Sequence, residues 1–210
     1  KKMKIQLSDH FTSKKLLHFT LPTIIMMIFT SIYGVVDGFF VSNFVGKTPF
    51  AAVNFIMPFL MILGSIGFMF GTGGSALIAK TMGEGDSEKA KRLFSLFVYV
   101  SAACGAVIAV LGFLFIRPIA AFLGAEGTML DNCVAYGRII LLALPAYMLQ
   151  YEFQSFFAAA QKPQLGLAVT IAAGLTNMIL DALLVAVFSF GLEGAAAATA
   201  AFSTPSPIAA

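Results

Sequence analysis

Two aspartates stand inside apolar runs, and each ends a stripe of small and polar residues. In "LTNMILDALL" and the residues before it, Thr170, Gly174, Asn177 and Asp181 follow one another at spacings of four, three and four. Helical geometry puts all four on one face. Thr23, Thr30, Gly34 and Asp37 repeat the pattern near the start of the chain, with Tyr33 one turn below Asp37. A carboxylate in hydrocarbon is paired, protonated or facing water. No Lys or Arg lies on either stripe, so the pair is suited to take up and release a proton. It could equally hold a cation, with Asn177 supplying an amide oxygen.

Composition says that these stripes lie in lipid. Of 210 residues, 59% are hydrophobic and 11% charged, against a usual charged share of about 25%. Mean hydropathy is +0.92. So few charges could not cover the surface of a soluble domain of this size. Trp is absent, leaving 5 Tyr and 22 Phe for any interfacial aromatic belt. Cys104 and Cys133 form no C-x-x-C pair and join no His/Cys cluster with metal spacing, so both read as unpaired thiols with no metal site.

Uncharged runs mark the spans, since roughly 20 helical residues cross the hydrocarbon. The first runs from Leu16 to Val41, the second from Ala51 to Ala79, and the third lies between Arg92 and Arg117. The fourth covers Cys133 to Ala160 and the fifth Leu165 to Gly191, while a sixth begins near Gly194 and looks unfinished. The short connections "NFVGKTP", "MGEGDSEKAKR", "LGAEGTMLDN", "QKPQ" and "GLEG" force neighbouring helices to run antiparallel. The expected fold is all-α, a polytopic membrane bundle of five complete transmembrane helices plus the start of a sixth. Ten of the thirteen Lys and Arg fall on the side of the N-terminus, which places that side in the cytoplasm. The basic-then-apolar start reads as an uncleaved first helix, because no small-residue cleavage site follows it. Residues 1–15 are thus a cytoplasmic segment and 16–202 a transmembrane lobe. In 203–210, Pro205 and Pro207 stand where the sixth helix should continue, at about 3 kcal/mol each, and the tail reads as a truncated or frame-shifted end.

The remaining polar residues are less aligned. Helix four carries Tyr147, Gln150 and Gln154 on one stripe, with Gln161 at its end, and Glu152 turned away by about 200°. Glu152 is expected to snorkel or to meet a cation at the cytoplasmic side. Tyr136 and Arg138, near the other end of that helix, read as interfacial anchors. Pro22 offers helix one a place to kink. Gly67 and Gly71 form a G-x-x-x-G that lets helix backbones approach closely. A phosphate loop is excluded, because no G-K-[ST] follows the glycines. Asp86 or Ser87 is the expected cap of helix three.

Three segments carry a family resemblance: "LPTIIMMIFTSIYGVVDGFFV", "GTGGSALIAKTMGEGDSEKAKR" and "GLTNMILDALLVAVFSFGLEGAAAATA". Over most of residues 16 to 200 the chain resembles the N-terminal half of a multidrug and toxin extrusion (MATE) transporter. The resemblance implies two six-helix lobes around a central cavity and export of organic cations in exchange for H⁺ or Na⁺. It implies cation-coupling roles for Asp37, Asn177 and Asp181, and a bending role for Pro22. Tyr33, Tyr136 and Thr199 look similar to other polar lining residues of the family, beside the Gln150 and Gln154 stripe. The implied partners are the bilayer, small organic cations, and a missing C-terminal lobe or second copy; no cofactor beyond the coupling ion and no nucleic acid is expected. The implied location is the plasma membrane.

Other readings are weaker on the residues. Lipid-linked sugar flippases share this kind of bundle but would place basic residues in the cavity for phosphates, and these stripes have none. An intramembrane aspartyl protease needs Y-D and G-x-G-D, yet Asp37 follows Val36 and Asp181 follows Leu180; no enzyme activity is expected. A non-transporting membrane fragment is the fourth reading.

Overall fold

A computed structural model describes residues 13–160 and 163–203. The expectations for the N-terminal segment before Ser13, for Gln161 and Lys162, and for Pro205 and Pro207 lie outside those residues. Six α-helices follow one another: α1 (Ser13–Phe40), α2 (Lys47–Gly83), α3 (Ser87–Leu123), α4 (Gly127–Ala159), α5 (Pro163–Asp181) and α6 (Gly191–Ser203). Five are long and apolar enough to cross a membrane, counting α1 and α5 with the segments that extend them.

Those extensions are π-helical. Val41–Val45 continues α1 and Ala182–Val187 continues α5, closed by Gly46 N–H donating to Val41 O at 3.2 Å and Phe188 N–H to Leu183 O at 2.8 Å. Residues expected in a connecting loop, Asn43 to Pro49, are therefore helical apart from Gly46. Gly46 has φ 118°, a region open to glycine. Between α2 and α3 the turn is tight. Asp86 is the cap, accepting from Lys89 N–H at 3.0 Å, with Glu88 in the first turn where the helix dipole favours it.

The core lies where α2, α3, α4 and α6 meet. Ile56, Leu60, Ile116, Leu141, Leu144 and Met148 are buried there. Glycine sets the spacing of these helices: a Cβ on Gly67 would lie 2.5 Å from Met148 Cα, and one on Gly71 2.9 Å from Glu152 Cα. This is the close approach that the G-x-x-x-G predicts. On α3, Gly105 meets Pro145 and Gly112 meets Leu141. Ala195, Ala196 and Ala198 are 0% exposed, so small side chains also seat α6. The outer faces are apolar, with Val35, Tyr99, Leu114 and Phe122 exposed as lipid-facing residues are.

Pairwise contacts give the directions. Positions rise together between α2 and α4 (Gly64 with Tyr147, Gly71 with Glu152) and run opposite between α3 and α4 (Gly105 with Pro145, Gly112 with Leu141). One end of the bundle, here termed the basic end, carries Lys80, Lys89, Lys91 and Arg92 on α2 and α3. At the opposite end Arg117 pairs with Asp131 at 3.2 Å, and Arg138 stacks on Phe113, 5.1 Å from its centroid.

Candidate cation-binding site

Helices α1 and α5 lie side by side and parallel. Phe29 occupies the space left at Gly174, and Thr170 Oγ1 donates to Met26 Sδ at 3.5 Å. Met26 and Thr170 are 144 positions apart. The same offset carries Asp37 to Asp181, and the two carboxyl groups face each other within hydrogen-bonding reach.

What they lack is a donor. An ionised carboxylate only accepts, and among the described residues Asp37 Oδ1 and both Asp181 oxygens have no hydrogen-bond partner. Asn177, one turn before Asp181, has no partner among the described residues at either amide atom. Asn177 and Asp181 are 0% exposed and Asp37 is half-buried. Tyr136, 1% exposed, brings its phenol oxygen from α4 toward both acids and Tyr33. Thr199 reaches it from α6, with its own hydroxyl donating to Ala195 O at 3.0 Å. Buried polar atoms without partners are few in folded proteins, and here they converge. A single proton between the carboxyls would supply a donor. A small hard cation would find carboxylate, amide and hydroxyl oxygens, the ligands such ions take.

The structure thus brings together Asp37, Asn177, Asp181, Tyr33, Tyr136 and Thr199 from four helices. It separates the others. Gln154 Nε2 donates to Thr170 Oγ1 at 3.2 Å, so it ties α4 to α5. Gln150 keeps a buried Oε1 without a partner among the described residues. Pro22 is buried within α1, which continues through it. Tyr136 is enclosed in the bundle, so its reading as an interfacial anchor is corrected. The snorkelling expected of Glu152 is also overturned: it is 0% exposed and faces Ser101 on α3.

Sequence reasoning missed Tyr151. Its hydroxyl lies 3.0 Å from that of Tyr147, and the two rings stand edge to face at 5.0 Å. With Met61, Gly64, Ser65 and Phe68 they line a cleft of about 250 Å³, and Tyr33 stands near Tyr151. The four-residue spacing from Tyr147 was the available signal.

The MatE family model matches residues 22–183, a stretch that includes both aspartates. The chain belongs to the MatE family. This agrees with the resemblance to multidrug and toxin extrusion transporters. Among curated relatives, the multidrug export protein MepA of Staphylococcus aureus is 29% identical over 187 residues, covering 89% of this chain and 42% of the relative. MepA of Staphylococcus saprophyticus is 27% identical over the same length. This MatE chain therefore spans less than half the length of the curated relatives it matches. Its fold is that of a MATE crystallised in the bent conformation, with TM-score 0.83 and 24% identity over 90% of this chain and 42% of that one. An outward-facing multidrug resistance MATE family transporter of the MOP superfamily matches with TM-score 0.82 and 23% identity, over 93% and 45%.

Proposed function

We propose that this chain forms one lobe, residues 16–202, of a secondary transporter that exports small organic cations in exchange for H⁺ or Na⁺. The observation that carries this reading is the Asp37–Asp181 pair, whose oxygens face each other without a donor. Either the coupling ion or a cationic substrate would relieve that arrangement, so the two compete for it. Competition is the basis of exchange: the protein returns through one state with the ion and through the other with the substrate. Asp37, Asn177 and Asp181 hold the coupling ion. Tyr33, Tyr136, Gln150, Gln154 and Thr199 line or gate the path, and Pro22 is the point about which α1 bends. No covalent step is involved.

The membrane is the plasma membrane, with the basic end in the cytoplasm, where Lys and Arg concentrate. A second lobe or a second copy completes the cavity.

The test is equilibrium binding of tetraphenylphosphonium to the chain in vesicles, paired with energised ethidium efflux from a pump-deficient bacterium. Asp37→Asn should insert normally, weaken binding by about tenfold or more, and abolish any efflux. Equal dye binding by both chains, both fully inserted, would sink the reading.

A further inference from the structure

Glu152 belongs to a different place in the bundle. Its neighbours are α2, through Gly71, and α3, through Ser101, whereas Gln154 on the same helix turns to α5. Glu152 and Ser101 are both 0% exposed. Both carboxyl oxygens and the facing Ser101 Oγ are without hydrogen-bond partners among the described residues.

Among the described residues no countercharge reaches them. α2 has no charged residue from Thr48 to Ala79, α3 none from Leu93 to Ile116, and α5 none from Gln164 to Leu180. The one acid of α6, Glu193, is exposed. Lys80 and Lys91 at the basic end are exposed and face Glu84 and Glu88, at 3.9 Å and 3.0 Å. On α4 itself the adjacent titratable groups are Tyr147 and Tyr151, whose hydroxyls meet each other. The side chain also has no way out while the helices stay packed, since Gly67, Gly71 and Gly105 hold α2 and α3 against the α4 backbone.

An ionised Glu152 enclosed in this way, with no countercharge and only the Ser101 hydroxyl in reach as a donor, is strongly disfavoured. Hard metal cations take about six oxygens, and this site offers two from Glu152 and one from Ser101. A proton needs only one. We propose that Glu152, partnered by Ser101, is a second proton-binding site of the lobe, one that exchanges its proton only when α4 parts from α3 at the basic end. Binding forms an O–H bond on one carboxylate oxygen and takes the group from −1 to neutral. That O–H then donates to Ser101 Oγ. The site is separate from the Asp37–Asp181 pair and does not rest on transport.

The test uses the whole 210-residue chain in vesicles. With Asp37 and Asp181 both changed to Asn, the infrared spectrum at neutral pH should retain a carboxylic-acid carbonyl band that Glu152→Gln removes. Cys104, one turn beyond Ser101 on α3, is half-exposed and reports the opening. In a Cys133→Ala chain its labelling by a water-soluble maleimide rises with pH through thiolate formation alone, so the reading is the ratio to Glu152→Gln: from acid to alkaline buffer the parent should gain about tenfold or more over that chain. A band that survives Glu152→Gln, no band in the folded parent, or identical labelling profiles would overturn the proposal. Should Glu152→Gln fail to insert, Ser101→Ala serves instead: the band must shift as its hydrogen bond is lost, and an unshifted band rejects the pairing.

Discussion

The two sides of this bundle are held together differently. α2, α3 and α4 meet backbone to backbone, with glycines at Gly67, Gly71 and Gly105 against the α4 main chain. α1 and α5 meet through side chains, Phe29 on Gly174 and Met26 on Thr170, and leave a row of polar atoms unpaired between them. Interlocked backbones resist separation because any added atom clashes at once. Side-chain contacts yield through rotamers. The first side is thus a stiff block that parts only at its basic end, beside Glu152, and the second is where a small ion can alter the packing at modest cost.

The most severe way to break this contrast is Gly67→Leu. Its side chain would need the space of the Met148 backbone, and a chain that no longer elutes as a single species from mild detergent is the expected result. Chromatography showing an unchanged profile would mean that the block is not rigid. Asp181→Asn should act on the other side and in the other direction. It supplies an N–H donor to Asp37, so thermal unfolding in detergent should show a gain of about 1–3 kcal/mol. The gain should shrink on acidification, when an added proton gives the native pair the same hydrogen bond. The smallest effect is expected from Gly73→Ala on α2, where nothing lies within 4 Å of the new methyl. A change within about 0.5 kcal/mol would show that glycine matters on this helix only where it touches a neighbouring helix.

Much of this could be read from the residues. The alignment of Asp37 and Asp181 followed from spacing and from helices that run the same way. The close approach at Gly67 and Gly71 followed from their interval, and Asp86 as cap from its side chain. Other features have no signature of that kind. Hydrophobic periodicity does not separate i→i−4 from i→i−5 hydrogen bonding over a single turn, so the π-helical segments were invisible. An angular offset turned Glu152 away from its stripe without saying that Ser101 would face it. The stripe placed Gln154 without its bond to Thr170, which depends on a rotamer that no pattern encodes.

The π-helical turns carry a mechanical consequence. Such a turn holds one residue more than an α-turn. Rewinding it to α would change the local length by about 1.5 Å and rotate whatever lies beyond by about 100°, with the hydrogen-bond ladder kept on both sides. Among the described residues such turns follow Asp37 and Asp181 and occur nowhere in α2, α3 or α4. Each acid therefore sits next to an adjustable joint: a helix end that can be taken in by one residue, like slack in a belt, without unfastening the rest.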